Sequence, residues 1–143
     1  AQDDRIDAIQ IPYNVLDQRL DVCCFFELAK KNGKLIFARS TFLQGLLLME
    51  PRAAEAKVKG SGELIECFQK MAEESDCAPA EAALLYALSH PHIDYVVFGV
   101  DTPDQLIENI RISKKEIASM QCYQHLRGTF INISPNIIQP NLW

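Results

Sequence analysis

The residues with the most chemical content gather where apolar runs end. Tyr95-Val96-Val97-Phe98 is an uninterrupted β-branched and aromatic run, stopped by Gly99 and followed by Asp101-Thr102-Pro103-Asp104-Gln105. The run predicts a parallel strand covered on both faces. Thr102 is a good N-cap, Pro103 suits the first helical position, and Gln105 completes a Thr-x-x-Gln capping box. Asp101 and Asp104 place two carboxylates at that helix start, where they complement its dipole. Gln10 is polar inside the apolar stretch Ile9-Gln10-Ile11, and a buried amide must find partners. The turn after Phe98 lies at the carboxyl end of a strand, where α/β proteins bind their ligands.

Other reactive side chains have plainer readings. His90 and His92 flank Pro91 at a helix end, a place for capping or solvent exposure rather than metal ligation. His125 has no identifiable partner, and no metal ligand set is legible. Cys23-Cys24 reads as core packing on a helix, with a reactive vicinal pair as the alternative. The five cysteines, Cys23, Cys24, Cys67, Cys77 and Cys122, show no Cys-x-x-Cys spacing. That pattern fits a reducing cytoplasm.

The elements that must position these residues follow from periodicity. Residues 6–13 predict a short strand ended by Pro12 and the turn-former Asn14. Val22, Phe25, Phe26 and Ala29 predict an amphipathic helix closing at Asn32-Gly33. Leu35-Ile36-Phe37-Ala38 is the second strand. A long connection from Ser40 to about Gly62 has a charged, turn-rich middle between Glu50 and Lys59, and such loops are usually functional or mobile. Leu64, Ile65, Phe68, Met71 and Ala72 mark one helix; Ala80, Ala83, Leu84, Ala87 and Leu88 mark another, opened by Pro79 and stopped at His90-Pro91. Leu106, Ile110, Ile117 and Met120 keep one apolar stripe down the helix after the third strand.

Alternation of strands and helices defines an α/β chain with a parallel sheet. At 143 residues, 48% hydrophobic and with a net charge of −5, it has one sizeable core and no basic surface for nucleic acid or an anionic membrane. No apolar run approaches the ~20 residues of a membrane span. Three strands cannot close a barrel, and the sequence starts in mid-pattern without Met. The expectation is the C-terminal portion of a (β/α)8 TIM barrel, incomplete in this chain, over 1–122, with a C-terminal tail over 123–143.

Three strand ends resemble one family. Ile9-Gln10-Ile11-Pro12-Tyr13-Asn14, the segment from Ala38-Arg39-Ser40-Thr41 to Gly45-Leu46-Leu47, and Gly99-x-Asp101-x-x-Asp104-Gln105-Leu106-x-Glu108-Asn109 are similar to the last three strand ends of the aldo-keto reductases. Ala82-Ala83-Leu84 and Ser89-His90-Pro91 also fit that pattern, so the resemblance covers roughly residues 6–112. It implies an NAD(P)H-dependent oxidoreductase that reduces an aldehyde or ketone, with a sugar as one candidate substrate. It also implies NADPH or NADH bound at the carboxyl ends of the strands. By matching position, Gln10 would bond the nicotinamide carboxamide and Arg39 would take the place of an aromatic ring against the nicotinamide. Ser40, Phe42 and Gln44 would line the pyrophosphate. Gly99, Asp101, Gln105, Glu108 and Asn109 would hold the adenosine end.

Two departures matter. The family's catalytic Asp, Tyr, Lys and His match nothing in this chain, and Tyr13 sits in a cofactor-side motif without a neighbouring Lys or His. No catalytic residue is therefore assigned, and an N-terminal barrel portion, in the same parent chain or a partner chain, is the expected partner. Asp101 stands where binders of a 2′-phosphate often carry Ser or Thr. Its carboxylate would repel that phosphate but accept a free ribose hydroxyl, which favours NADH or dual use unless Arg52, Lys57 or Lys59 acts as a clamp. Without the resemblance, Gln105 closes only the capping box, and Glu108 and Asn109 are ordinary exposed helix residues. The alternative function is a non-catalytic nucleotide-binding or regulatory module that docks onto a partner chain.

Overall fold

The computed structural model describes residues 1–115 and 124–143. In order, these form β1 (Ala8–Pro12), α1 (Phe25–Lys31), β2 (Leu35–Arg39), a 3₁₀ turn (Leu46–Leu48), α2 (Pro51–Lys57), α3 (Gly62–Glu74), α4 (Pro79–Leu88), β3 (Tyr95–Val97), α5 (Pro103–Ser113), α6 (Pro135–Ile138) and a last 3₁₀ turn (Pro140–Leu142). The sheet runs β1-β2-β3, all parallel. Ile11 faces Ala38 and Ala38 faces Val96, while Pro12, Arg39 and Val97 align at the strand ends.

The pleat divides the sheet into two unlike faces. Ile11, Ile36 and Ala38 are buried against α1, α3, α4 and the tail, in one core with Phe26, Phe68, Ala83 and Tyr86. The other face carries Gln10, Leu35, Phe37, Arg39, Tyr95 and Val97 and is largely open, with Tyr95 55% and Val97 42% exposed. Phe37 stacks on Tyr95 at 4.7 Å between centroids. The expectation that β3 is covered on both faces is thus corrected. β3 is an edge strand, and nothing among the described residues overlies its Tyr95/Val97 side.

Local chemistry explains the ends of the elements. α1 closes with a Schellman arrangement: Lys34 N–H bonds the Ala29 carbonyl and Gly33 N–H the Lys30 carbonyl, both at 3.0 Å. Gly33 supplies the left-handed φ of +66° this requires. Val22 does not join the helix; it is 64% exposed ahead of α1, which begins at Phe25. β3 is registered by Asp94, whose Oδ2 accepts the Ile36 N–H at 2.7 Å and pairs with Lys30 of α1. Those donors hold the Asp94 carboxyl below its ordinary pKa.

The charged middle of the long connection is helix α2, not loop. Pro51 sits in its first turn, and Ala53, Ala54 and Ala56 are strong helix formers that outweigh the charge pattern. Glu55 then turns back on the next corner. Its carboxylate accepts the N–H groups of Gly60 and Gly62, each at 2.9 Å, and these bonds hold its pKa below the usual carboxylate range. A depressed carboxyl stabilises the fold above its unfolded pKa, and that contribution is lost as pH falls through the folded one. Glu55→Gln should therefore flatten the acid limb of the stability curve, measured by thermal melts between pH 6 and 3. An unchanged acid limb would show that the bonds carry no stability.

The apolar stripe of α5 also differs from expectation. Leu106 and Ile110 are 43% and 44% exposed, while Asn109 and Ile112 turn inward on α4. Ile117 and Met120 lie outside the described residues. Residues of the tail join the core: Leu126, Phe130, Ile137 and Ile138 are buried with it. Trp143 donates its indole N–H to the Ile137 carbonyl at 3.2 Å and lies under the Lys57 ammonium, 5.3 Å from the ring centroid. Among the described residues no helix is long and apolar enough to cross a membrane.

Candidate functional site

The carboxyl ends of the strands carry the candidate site. Gln10 and Arg39 lie on the open face, in register with Phe37 and Pro12 respectively. Gln10 is exposed, so the expected demand for buried partners does not arise in this chain. Arg39 is also exposed and donates from Nη1 to Ser40 Oγ at 3.1 Å.

The chain leaves β2 in an unusual conformation. Ser40, Leu43 and Gln44 have φ of 63°, 48° and 54°, and Gly45 follows at 79°. Non-glycine residues in the left-handed region cost energy and persist only where the surroundings impose them. The imposing contacts are visible. Leu43, Leu46 and Leu47 are fully buried, and Asn14 Nδ2 donates to the Ser40 carbonyl at 3.1 Å. Asn14 is itself buried, and its Oδ1 accepts the N–H groups of Leu16 and Asp17, each at 3.0 Å. One side chain thus staples the loop after β1 to the loop after β2. Sequence reasoning saw only a turn-former at Asn14; its polarity beside Tyr13 and Val15 was the available signal.

Within the same loop Thr41 is 1% exposed and its Oγ1 has no hydrogen-bond partner. A buried hydroxyl without a partner is costly. Together with the exposed Gln44 and half-buried Gly45, it offers donors of the kind a pyrophosphate takes. These groups would suit an anionic group such as a pyrophosphate at the end of β2.

Phe42 carries the loop toward β3. Its ring meets Phe98 edge-on at 6.3 Å, and both pack on Leu84, Leu85 and Ile112. That contact sets the loop beside Gly99 and the start of α5. There Thr102 Oγ1 accepts the Gln105 N–H at 3.3 Å, as a capping box requires. The Gln105 carboxamide reaches one residue further back than the box predicts, accepting the Asp101 N–H at 2.8 Å. Asp101 and Asp104 are exposed. Glu108 is engaged by Arg111 through two bonds of 2.7 and 2.8 Å, which hold its carboxyl below the ordinary range. Asn109 is only 6% exposed, against the reading of it as an ordinary surface residue.

Beneath the site lies a second polar cluster that the sequence did not reveal. Tyr13 Oη donates to Asp21 Oδ2 at 3.0 Å and lies 3.2 Å from Tyr86 Oη, and His90 Nε2 stands 3.1 Å from Asp21 Oδ1. His90 Nδ1 accepts the His92 N–H at 3.2 Å, so the ring proton is on Nε2 and is given to Asp21. His90 is 4% exposed, which corrects its reading as a capping or solvent-facing residue. Tyr13 does have a histidine neighbour, brought from the end of α4, but its 0% exposure keeps substrate from it. The cysteine reading is corrected too: Cys23 and Cys24 are exposed rather than packed, and Cys122 falls outside the described residues. His125 finds Ser75 Oγ at 3.3 Å. Among the described residues no group of three or more His, Cys, Asp or Glu is placed to hold a metal ion.

A parallel three-stranded sheet with helices on one face matches part of a (β/α)8 barrel. The profile of the aldo/keto reductase family matches residues 1–125, and the chain belongs to that family. Solved structures of similar fold include the aldo-keto reductase AKR11C1 from Bacillus halodurans. Its holo form is 22% identical at a TM-score of 0.64, covering 83% of this chain and 41% of that one. The apo form is 22% identical at a TM-score of 0.65, covering 85% and 42%. The thermostable aldo-keto reductase Tm1743, in complex with the inhibitor epalrestat, is 16% identical at a TM-score of 0.56, covering 82% and 39%. The chain thus spans about two-fifths of the structures it resembles. No curated protein matches the sequence.

Proposed function

We propose that this chain is the cofactor-binding part of an NAD(P)H-dependent aldo-keto reductase acting on a small aldehyde or ketone, a sugar among the candidates. The observation that carries the reading is the left-handed loop Ser40–Gly45 with the buried, unpartnered Thr41 hydroxyl, set beside an open sheet face bearing Gln10 and Arg39. A bound dihydronicotinamide supplies the hydride that reduces the carbonyl. Gln10 would offer its amide to the nicotinamide carboxamide, and the planar guanidinium of Arg39 would stack on the ring. Ser40, Thr41, Phe42 and Gln44 shape the pyrophosphate site. Gly99, Asp101, Gln105, Glu108 and Asn109 form the adenosine end, where Glu108, held through both oxygens by Arg111, and the inward Asn109 give unlike contributions. The proton donor for the carbonyl oxygen comes from an N-terminal barrel portion, which covers the open face of the sheet.

Asp101 points to NADH or dual use, because its exposed carboxylate accepts a ribose hydroxyl and repels a 2′-phosphate. Lys57 lies over the Trp143 ring, 5.3 Å from its centroid, and would have to leave that contact to act as a clamp. Asp101→Ser should shift preference toward NADPH by roughly tenfold, equal to about 1.4 kcal/mol.

The test is a titration of the full-length protein with NADPH and NADH, followed by nucleotide fluorescence. Binding of either, weakened at least fivefold by Asn109→Ala, is the expected result. Binding without carbonyl reduction would identify instead a nucleotide-binding module of a larger assembly. Failure to bind either nucleotide would remove the reductase reading.

A further inference from the structure

Cys23 and Cys24 belong to none of the machinery above. They lie in the turn that enters α1, with Cys24 at its N-cap position, and both are exposed. The backbone beneath them is fixed. The Cys24 carbonyl accepts the Leu28 N–H at 3.1 Å, and Phe26 is buried in ring contact with Tyr13 and His90. Cys23 Sγ is 3.5 Å from the Leu20 carbonyl, a contact within reach of a weak thiol donor.

Adjacent cysteines are poorly placed to bond each other. Their Cα atoms are about 3.8 Å apart, whereas disulfides ordinarily span roughly 4.4–6.8 Å. A single soft atom inserted between the two sulfurs escapes that constraint, since neither sulfur then has to reach the other. We propose that Cys23 and Cys24 form a dithiol site for a trivalent arsenical. With a monosubstituted arsenoxide the reaction balances without redox change. Two As–S bonds form, both thiol protons pass to the arsenoxide oxygen, and that oxygen leaves as water while arsenic remains trivalent. Cys67 and Cys77 have no cysteine next to them in the sequence, so an ester formed on either thiol alone is open to hydrolysis.

The experiment is intact-mass measurement of the reduced, folded protein after one equivalent of phenylarsine oxide. One water-eliminated adduct per chain is expected. It should fall at least tenfold in Cys23→Ser and in Cys24→Ser, and persist in Cys67→Ser, Cys77→Ser and Cys122→Ser. A small competing 1,2-dithiol should strip it. Absence of the adduct overturns the proposal, as does its survival in either single variant of the pair or its loss from any of the other three.

Discussion

Asp21→Ala should destabilise the protein by about 3–5 kcal/mol, through loss of the buried hydrogen bonds that its carboxylate accepts. The side chain of Asp21 is 7% exposed and that of His90 2%. Tyr13 and Tyr86 are fully buried, their rings stacked at 5.4 Å, and both hydroxyls lie within hydrogen-bond reach of the same carboxylate oxygen. Deleting the carboxylate takes Oδ2 from the two phenols, which keep each other at 3.2 Å, and Oδ1 from the His90 imidazole, and each buried hydrogen bond to a charged group so lost costs about 1.5–3 kcal/mol. Tyr86→Phe removes one member and leaves the carboxylate served by Tyr13 and His90, so its cost should be nearer 1 kcal/mol. Urea denaturation followed by far-ultraviolet circular dichroism measures both. If Asp21→Ala costs no more than Tyr86→Phe, the carboxylate is not what organises the cluster.

Asn14→Ala should cost about 2–3 kcal/mol, because three hydrogen bonds are lost at a buried position and the Leu16 N–H is left without its partner. Its larger consequence is functional. With the Ser40 carbonyl released, the left-handed conformations at Ser40, Leu43 and Gln44 lose one of the contacts that impose them. Asn14→Asp separates the two effects. The aspartate keeps an acceptor for Leu16 and Asp17 but turns the donor facing Ser40 into a second oxygen, so stability should change less than in Asn14→Ala. Nucleotide affinity should still fall by about tenfold, or about 1.4 kcal/mol. Unchanged affinity in Asn14→Asp would mean that the loop holds its shape without the staple.

The strands and most of the helices were legible because their signals are local. Pro79 and Pro103 mark helix starts, Asn32-Gly33 a helix end, and β-branched runs the strands. The three strand-end segments also carried the family. What was not legible depends on distance. Helix α2 reads as loop because its charges mask an alanine-rich turn. The inward side of α5 could not be read from an apolar stripe, since that stripe faces away from α4 and the inward positions include Asn109. The Tyr13–Asp21–Tyr86–His90 cluster is joined by hydrogen bonds that span 8 to 73 positions, and no spacing rule links them. Cys23-Cys24 differs from expectation for a simpler reason: the helix begins at Phe25, three residues after the Val22 at which the apolar period starts, which leaves the pair in an exposed turn.

The loop after β1 has a further tie, through Gln18. This buried carboxamide donates to the Val15 carbonyl at 2.8 Å and to the Leu126 carbonyl at 3.0 Å, and it accepts the Gly128 N–H at 2.8 Å. Two of those bonds close sequence separations of 108 and 110 residues. Contacts that remote must meet the entropy of closing a long loop before they return any free energy, and they slow folding. The loop that follows β1 therefore reaches its final surroundings only after residue 128 has been made. Until then the apolar seat of Leu126 and Phe130 is exposed on a half-folded chain, and the order of synthesis runs opposite to the order in which this corner becomes native.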